Sequence, residues 1–335
     1  MTDQNIFLKE ISKLTKFHYN NSKKYRKIID LLYPSKTNKT IESIPFIPAK
    51  LFKDIDLKSI PNSKVFKILQ SSGTSGGNPS KIYLDKENAK RQTLVLNEIV
   101  SKILGKKRIP MLIIDEKKNI FDPKKFDAKT AAILGFSLFG SSHHYLIKDK
   151  IIDYKSLNNF LDKYSGNDFL IFGFTSYVYK FLIKNIERKK IKKNFSKGTL
   201  IHGGGWKKME AIKISNKIFK QELKEKLKLK NIFNYYGLIE QTGSIFFECK
   251  KCNCFTTSKY SDVLIRDKNF KTLRNNNKGF IQLLSLLPKS YPGHSILTED
   301  IGKIVENNCS LCLGSKKFIV YGRAEKSEIR GCSDV

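Results

Sequence analysis

Two groups of residues in this chain have the types and spacing that chemistry needs. In Gln70-Ser71-Ser72-Gly73-Thr74-Ser75-Gly76-Gly77-Asn78-Pro79-Ser80-Lys81, three glycines, several hydroxyls and a lysine lie between the apolar runs 65–69 and 82–84. Glycine lets successive N–H groups turn inward as a concave anion nest, the hydroxyls add donors, and Lys81 adds a point charge. A polyphosphate is the ligand such a loop implies. The spacing fits neither a Walker A loop nor the dinucleotide pattern G-x-G-x-x-G. A Ser/Gly-rich surface linker is the plain alternative. The second group is Cys249-x2-Cys252-x-Cys254 with Cys309-x2-Cys312, the spacing of zinc knuckles. Four thiolates from Cys249, Cys252, Cys309 and Cys312, with Cys254 able to replace Cys252, would close a structural tetrahedral Zn2+ site. Unmetallated core cysteines are the alternative.

At 335 residues, 40% hydrophobic and 11% aromatic, the chain is long and apolar enough to fold around a large core. The net charge of +32 suggests a nucleic-acid partner, yet only eight of the 63 basic residues are arginine. Lysine-rich faces are usually solvated, although such a field also draws in anionic substrates or an acidic partner. The first 16 residues lack the apolar core of a secretory signal, and no apolar run is long enough to span a bilayer. The expected location is therefore cytoplasmic, where cysteines serve metal binding or chemistry before disulfides.

The elements that position these groups read as an α/β fold. Helical spacing covers residues 1–45, then a Pro-interrupted segment leads into a strand–loop–strand at the nest. Helices are expected over 88–104, 177–185 and 208–229, and strands over 109–114, 169–174, 199–202 and 231–235. Each of the last three strands ends in a loop that carries glycine, and such loops at strand ends build ligand crevices. From about residue 246 the texture changes to short strands at 263–266, 279–286 and 302–305. His143 and His144, adjacent on a strand, point to opposite faces and are read as structural.

Several motifs resemble those of the adenylate-forming superfamily. Ser-Gly-Thr-Ser-Gly-Gly-x-Pro-x-Lys, ending at Lys81, resembles its ATP-phosphate loop, and Gly203-Gly204-Gly205 its adenine platform. Tyr236-Gly237-Leu238-Ile239-Glu240 resembles the aromatic-Gly-x-Thr-Glu segment whose glutamate holds Mg2+ and whose ring lies against adenine. Asp300 stands where that family binds the ribose hydroxyls, and Tyr321-Gly322-Arg323 resembles its hinge arginine. Ile239 replaces the usual Thr, so a phosphate contact is missing or moves to Thr242 or Ser244. Ile201-His202-Gly203-Gly204-Gly205-Trp206-Lys207, Ser290-Tyr291-Pro292-Gly293-His294-Ser295 and Arg330-Gly331-Cys332 are similar to the acyl-protein synthetases (LuxE-like).

That resemblance implies a large adenylating domain over 46–320, with a zinc-knuckle segment at about 246–315. An N-terminal helical segment, 1–45, precedes it and a hinge and tail, 321–335, follow, with no full C-terminal lid domain. It implies ATP and Mg2+ as cofactors, an apolar carboxylic acid as substrate, and acyl transfer to Cys332. A partner reductase or acyl carrier protein would then take the acyl group. Its catalytic residues would be Lys81, Glu240, Arg323 and Cys332, with Ser71–Gly77, Gly203–Gly205, Tyr236, Gly237 and Asp300 on the nucleotide. The rival readings are a phenylacetate-type acyl-CoA ligase, a basic zinc-bearing nucleic-acid-binding protein, and an inactive scaffold.

Overall fold

The computed structural model describes residues 3–34, 39–71, 78–117, 128–206, 209, 212–312 and 316–324. Helices α1 (Asp3–Asn21) and α2 (Lys23–Leu32) come first. Ser22 caps α2 by accepting from the Tyr25 N–H, which supplies a partner for one of the donors a helix start leaves open. Short elements β1 (Ile47–Pro48) and α3 (Leu51–Asp54) lead to the antiparallel hairpin β2 (Lys67–Gln70) and β3 (Lys81–Leu84). Then α4 (Lys86–Leu104) runs close to the expected helix.

Next come β4 (Ile109–Glu116), α5 (Ala128–Ser137), β5 (Gly140–Lys148), β6 (Ile151–Ile152), α6 (Tyr154–Tyr164) and β7 (Phe169–Phe174). α7 (Thr175–Tyr177) passes directly into a π-helical run, Val178–Lys184. β8 (Gly198–Gly203), α8 (Asn216–Leu227) and β9 (Asn231–Tyr236) follow. Within the helix expected over 208–229, the described helix runs Asn216–Leu227, where Ser215 caps it by accepting from Ile218 N–H. The chain ends in strands β10 (Phe246–Phe247), β11 (Phe255–Thr256), β12 (Ser261–Arg266), β13 (Gly279–Ser285), β14 (Ser295–Val305) and β15 (Lys317–Arg323). The strand expected at 302–305 is therefore the end of a longer one.

The chain divides into two compact units, one made of Met1–Ile99 and Tyr236–Glu328, the other built on Val100–Tyr235. In the first, β11, β15, β14, β13 and β12 form an antiparallel sheet in that order, and β1 adds in parallel to β14. In the second, β9, β8, β7, β4, β5 and β6 lie side by side; all are parallel except β6. Helices separate these parallel strands, the α/β pattern expected. Among the described residues no helix is long and apolar enough to cross a membrane.

Candidate active site

The antiparallel sheet of the first unit brings together residues far apart in the chain. β14 and β15 pair so that Asp300 lies directly opposite Arg323. A bulge between Ile301 and Gly302 sets this register. Gly302 has to be glycine here, since a Cβ would sit 2.5 Å from the Ile319 carbonyl oxygen of β15. Gly322 has φ +124°, which L side chains rarely adopt. Tyr236, at the end of β9, donates its hydroxyl to Asp300 Oδ2 at 2.5 Å. The Arg323 guanidinium reaches Glu299 Oε2 at 3.7 Å. Burial raises the Asp300 carboxyl above the usual carboxylate range, while the Tyr236 bond and the Arg323 charge pull it back. Burial, then Asp300, pushes the Tyr236 phenol well up, so it stays a donor.

Glu240 follows on a single 3-10 turn, Ile239–Gln241, and is only 6% exposed. The Gln241 side chain ties this turn down by donating to the carbonyls of Leu283 and Gly293, at 3.1 and 2.9 Å. Thr242 Oγ1 donates back to the Ile239 carbonyl at 2.7 Å, and Ser244 is buried. A buried carboxylate on a rigid turn suits Mg2+, which takes one or two carboxylates and draws its other ligands from phosphate and water.

The segment read in the sequence as a polyphosphate loop joins the paired strands β2 and β3, as the strand–loop–strand pattern predicts. Its neck is closed by Ser71 N–H to Ser80 O at 3.0 Å and by Ser80 N–H to Ser71 Oγ at 2.8 Å. Gln70 faces Lys81 across it. The Lys81 side chain is 43% exposed and its ammonium is 3.9 Å from Asp56, an open pair that holds it weakly. Ser72, Gly73, Thr74, Ser75, Gly76 and Gly77 lie outside the described residues, as does Cys332.

The triple glycine belongs to the second unit, and its members do different work. At Gly203 a Cβ would overlap the Tyr235 ring, so this glycine admits a close aromatic neighbour. Gly204 has φ +78° and makes the turn, whereas Gly205 has open space on its Cα. Thr175 and His202, to which the sequence assigned no role, hold this turn. Thr175 Oγ1 donates to the Gly203 carbonyl at 3.1 Å and lies 3.0 Å from His202 Nδ1. Burial depresses His202 to about 3, so the ring is neutral.

The sulfurs of Cys249, Cys252, Cys309 and Cys312 all lie within 4.8 Å of one another. Cys249 to Cys309 is 3.7 Å and Cys252 to Cys312 is 3.5 Å. Two thiolates on one tetrahedral zinc, each at about 2.3 Å, sit about 3.8 Å apart, so the donor set fits that ion. Cys254 stands aside: its sulfur donates to the Cys252 carbonyl at 3.4 Å. Hydrogen bonding from Cys312 lowers the Cys309 thiol to about 7, while burial lifts Cys252 to about 11. His143 and His144 take separate partners, the Ser137 carbonyl and the Phe160 and Tyr164 rings, in keeping with a structural role.

Comparison with known proteins bears on the family and the fold. A curated relative, the long-chain-fatty-acid–luciferin-component ligase of Aliivibrio fischeri, is 26% identical over 310 residues, covering 87% of this chain and 77% of that protein. Among solved structures, an open 2-hydroxyisobutyryl-CoA ligase in complex with 2-HIB-AMP and CoA superimposes with a TM-score of 0.75 at 12% identity. The match covers 96% of this chain and 70% of the ligase. ATP-bound MatB from Rhodopseudomonas palustris matches with a TM-score of 0.51 at 14% identity, over 79% of this chain and 49% of MatB. These likenesses establish the fold of adenylate-forming enzymes. The family model described as acyl-protein synthetase, LuxE, matches residues 2–335, and the chain therefore belongs to that family.

Proposed function

We propose that this chain is an ATP-dependent acyl-protein synthetase that joins a fatty or related apolar carboxylic acid to AMP and then takes the acyl group onto Cys332. A partner reductase or acyl carrier protein removes it from there. The observation that supports this most is the Asp300–Arg323 cross-strand pair with Tyr236 bonded to Asp300, in a chain of this family.

In the first step an oxygen of the acid's carboxylate attacks the α-phosphorus of ATP, and the bond to pyrophosphate breaks. The protein positions the reactants and neutralises charge. Asp300 accepts from the ribose hydroxyls while Tyr236 holds it in place. Lys81 and the Ser/Gly-rich segment before it are the groups for the β,γ-phosphates, and Arg323 supplies a cation at the nucleotide. Glu240 is the residue for Mg2+, which when bound offsets phosphate charge. In the second step the Cys332 thiolate, favoured by neighbouring Arg330, attacks the acyl carbon and AMP leaves with its oxygen. Cys332 is nine residues past Arg323, about 30 Å of extended chain. The four-thiol cluster takes a structural zinc, since a site closed by four cysteines has no open position.

The test is intact-protein mass after incubation with ATP, Mg2+ and a panel of carboxylic acids, beside Cys332→Ser. A hydroxylamine-labile acyl adduct on the wild type alone is expected. Pyrophosphate release with no adduct, undiminished in Cys332→Ser, would move the acceptor to coenzyme A. Neither product would sink the adenylation reading.

A further inference from the structure

The cysteine cluster and the Asp300–Arg323 pair belong to the same unit, and a run of aromatic rings joins them. The first knuckle closes on itself by Cys249 N–H to Cys254 O at 2.8 Å and Asn253 N–H to Cys249 O at 2.9 Å. The next residue, Phe255, opens β11 and lies opposite Phe318 of β15. The second knuckle, with Cys309 and Cys312, precedes β15. The close sulfur pairs, Cys249 with Cys309 and Cys252 with Cys312, therefore bridge from the segment before β11 to the segment before β15.

The Tyr236 ring rests against three phenylalanines, with centroids 6.3 Å from Phe246, 5.9 Å from Phe255 and 6.1 Å from Phe318. Phe246 and Phe318 are buried, meet edge to face at 5.2 Å, and belong to the core cluster of Val263, Ile281 and Leu283. Phe255 is only half-buried. Its strand has two residues and lies at the sheet edge, so it brings little ladder hydrogen bonding of its own. The chain on either side fixes it: the knuckle before it and, after it, Thr257, whose N–H donates to Lys316 O at 3.1 Å. At its other end Tyr236 donates its hydroxyl to Asp300. Ring and hydroxyl move as one plane, so in a close-packed interior a shift of Phe255 reaches that bond.

We propose that the four-cysteine cluster positions the nucleotide site, acting through Phe255 on Tyr236 and so on Asp300. With zinc bound the two knuckles form one clasp, β11 is held on β15, and Phe255 backs the Tyr236 ring. With zinc removed the clasp opens at the sulfurs, Phe255 loses its support, and Asp300 loses its fixed donor. Zinc and nucleotide are then linked, and linkage is reciprocal: the factor by which zinc raises ATP affinity is the factor by which ATP raises zinc affinity. This goes beyond a zinc that only holds the fold. It rests on the reading of the cysteines as zinc ligands and of Tyr236 and Asp300 as nucleotide residues.

The test compares zinc-loaded wild type, Phe255→Leu, Phe255→Tyr and Asp300→Asn. Equilibrium dialysis of labelled ATP gives nucleotide affinity, titration with a zinc-selective chelator with and without ATP gives zinc affinity, and the melting temperature reports the fold. In wild type, saturating ATP is expected to raise the chelator concentration that removes half the zinc by about tenfold. Asp300→Asn, at the same ATP concentration, controls for zinc taken by free ATP. Phe255→Leu keeps apolar bulk but not the ring. It should hold its zinc and melt near wild type, bind ATP about tenfold more weakly, and lose the effect of ATP on zinc. Phe255→Tyr, which restores the ring, should restore both. If ATP leaves the chelator titration of wild type unmoved, or Phe255→Leu binds ATP like wild type, the cluster only holds the fold and the proposal is overturned. If Asp300→Asn binds ATP like wild type the nucleotide reading fails, and if the purified protein carries no zinc the zinc reading fails; the proposal falls with either.

Discussion

In the second unit β7 buries every residue from Phe169 to Phe174, and its neighbours add a cluster of leucine, isoleucine and aromatic side chains. In the first unit the interior is threaded with polar groups: His18, Asn88, Gln92, Gln241, Gln282, Ser290 and His294 are all buried. His18 and His294 stack with centroids 4.7 Å apart; His18 donates to the Pro288 carbonyl and pairs with Ser59 at 2.7 Å. Parallel strands covered on both faces need only apolar side chains, whereas long loops folded under a sheet bring backbone polar groups that side chains must match. The contrast teaches that the two units owe their stability to different terms. The second leans on apolar packing around a few buried polar groups such as the Lys129–Asp115 pair. The first adds to its own apolar clusters a larger share of buried hydrogen bonding and, on the zinc reading, a metal clip.

The largest effect should come from removing that clip. Purified protein is expected to carry one zinc per chain by elemental analysis. Chelation, or Cys312→Ser, should unfold the first unit before the second in hydrogen exchange, as structural zinc contributes about 10–16 kcal/mol in small metal-folded domains. Metal-free protein with unchanged exchange would break the comparison. Next in size is Phe172→Ala in the second unit. Phe172 is 0% exposed and stacks on Phe136 at 4.4 Å, so the cavity should cost about 3–5 kcal/mol in urea unfolding. Zinc content should not change.

The smallest effect, taken one histidine at a time, is set by pH. Burial depresses His18 to about 3 and drives His294 well down, with the His18 charge adding to it. An unfolded histidine titrates near 6.5, so between there and 3 the unfolded chain binds more protons than the folded one. Stability is therefore full above about pH 6.5 and is lost as pH falls, with a slope of about 1.4 kcal/mol per pH unit for each histidine. His202 adds one such group in the second unit. Urea midpoints from about pH 7.5 to about pH 5 should fall, and His18→Gln should flatten that slope. An unchanged slope would remove His18 from the account.

Much of this was legible before any coordinates. Residues 169–174 read as a buried strand because an unbroken apolar run between polar segments has few other solutions, and the hairpin that carries Lys81 followed from two short runs around a Gly-rich loop. The helix start at Asn216 was missed because Lys207–Lys213 has helical composition, and the Ser215 cap is a weak signal beside it. The strand that begins at Ser295 was missed because its first half contains Thr298, Glu299 and Asp300, whose polarity hides a paired strand.

The sequence by itself determined the kinds of parts: knuckle-spaced cysteines, a phosphate-type loop, glycine turns at strand ends and a glutamate shortly after Tyr236. These depend on residues within a few positions of each other, and local sterics and hydrogen bonding act at that range. Tertiary structure alone decided which parts meet. The bulge at Ile301–Gly302 puts Asp300 opposite Arg323, the cysteine pairs close across 60 positions, and Gly243 and Gly293 gather Gln92 and Tyr291 around Glu240. Those outcomes turn on strand register and on backbone close approach. Both are set by the packing of the whole unit, which no short stretch of sequence encodes.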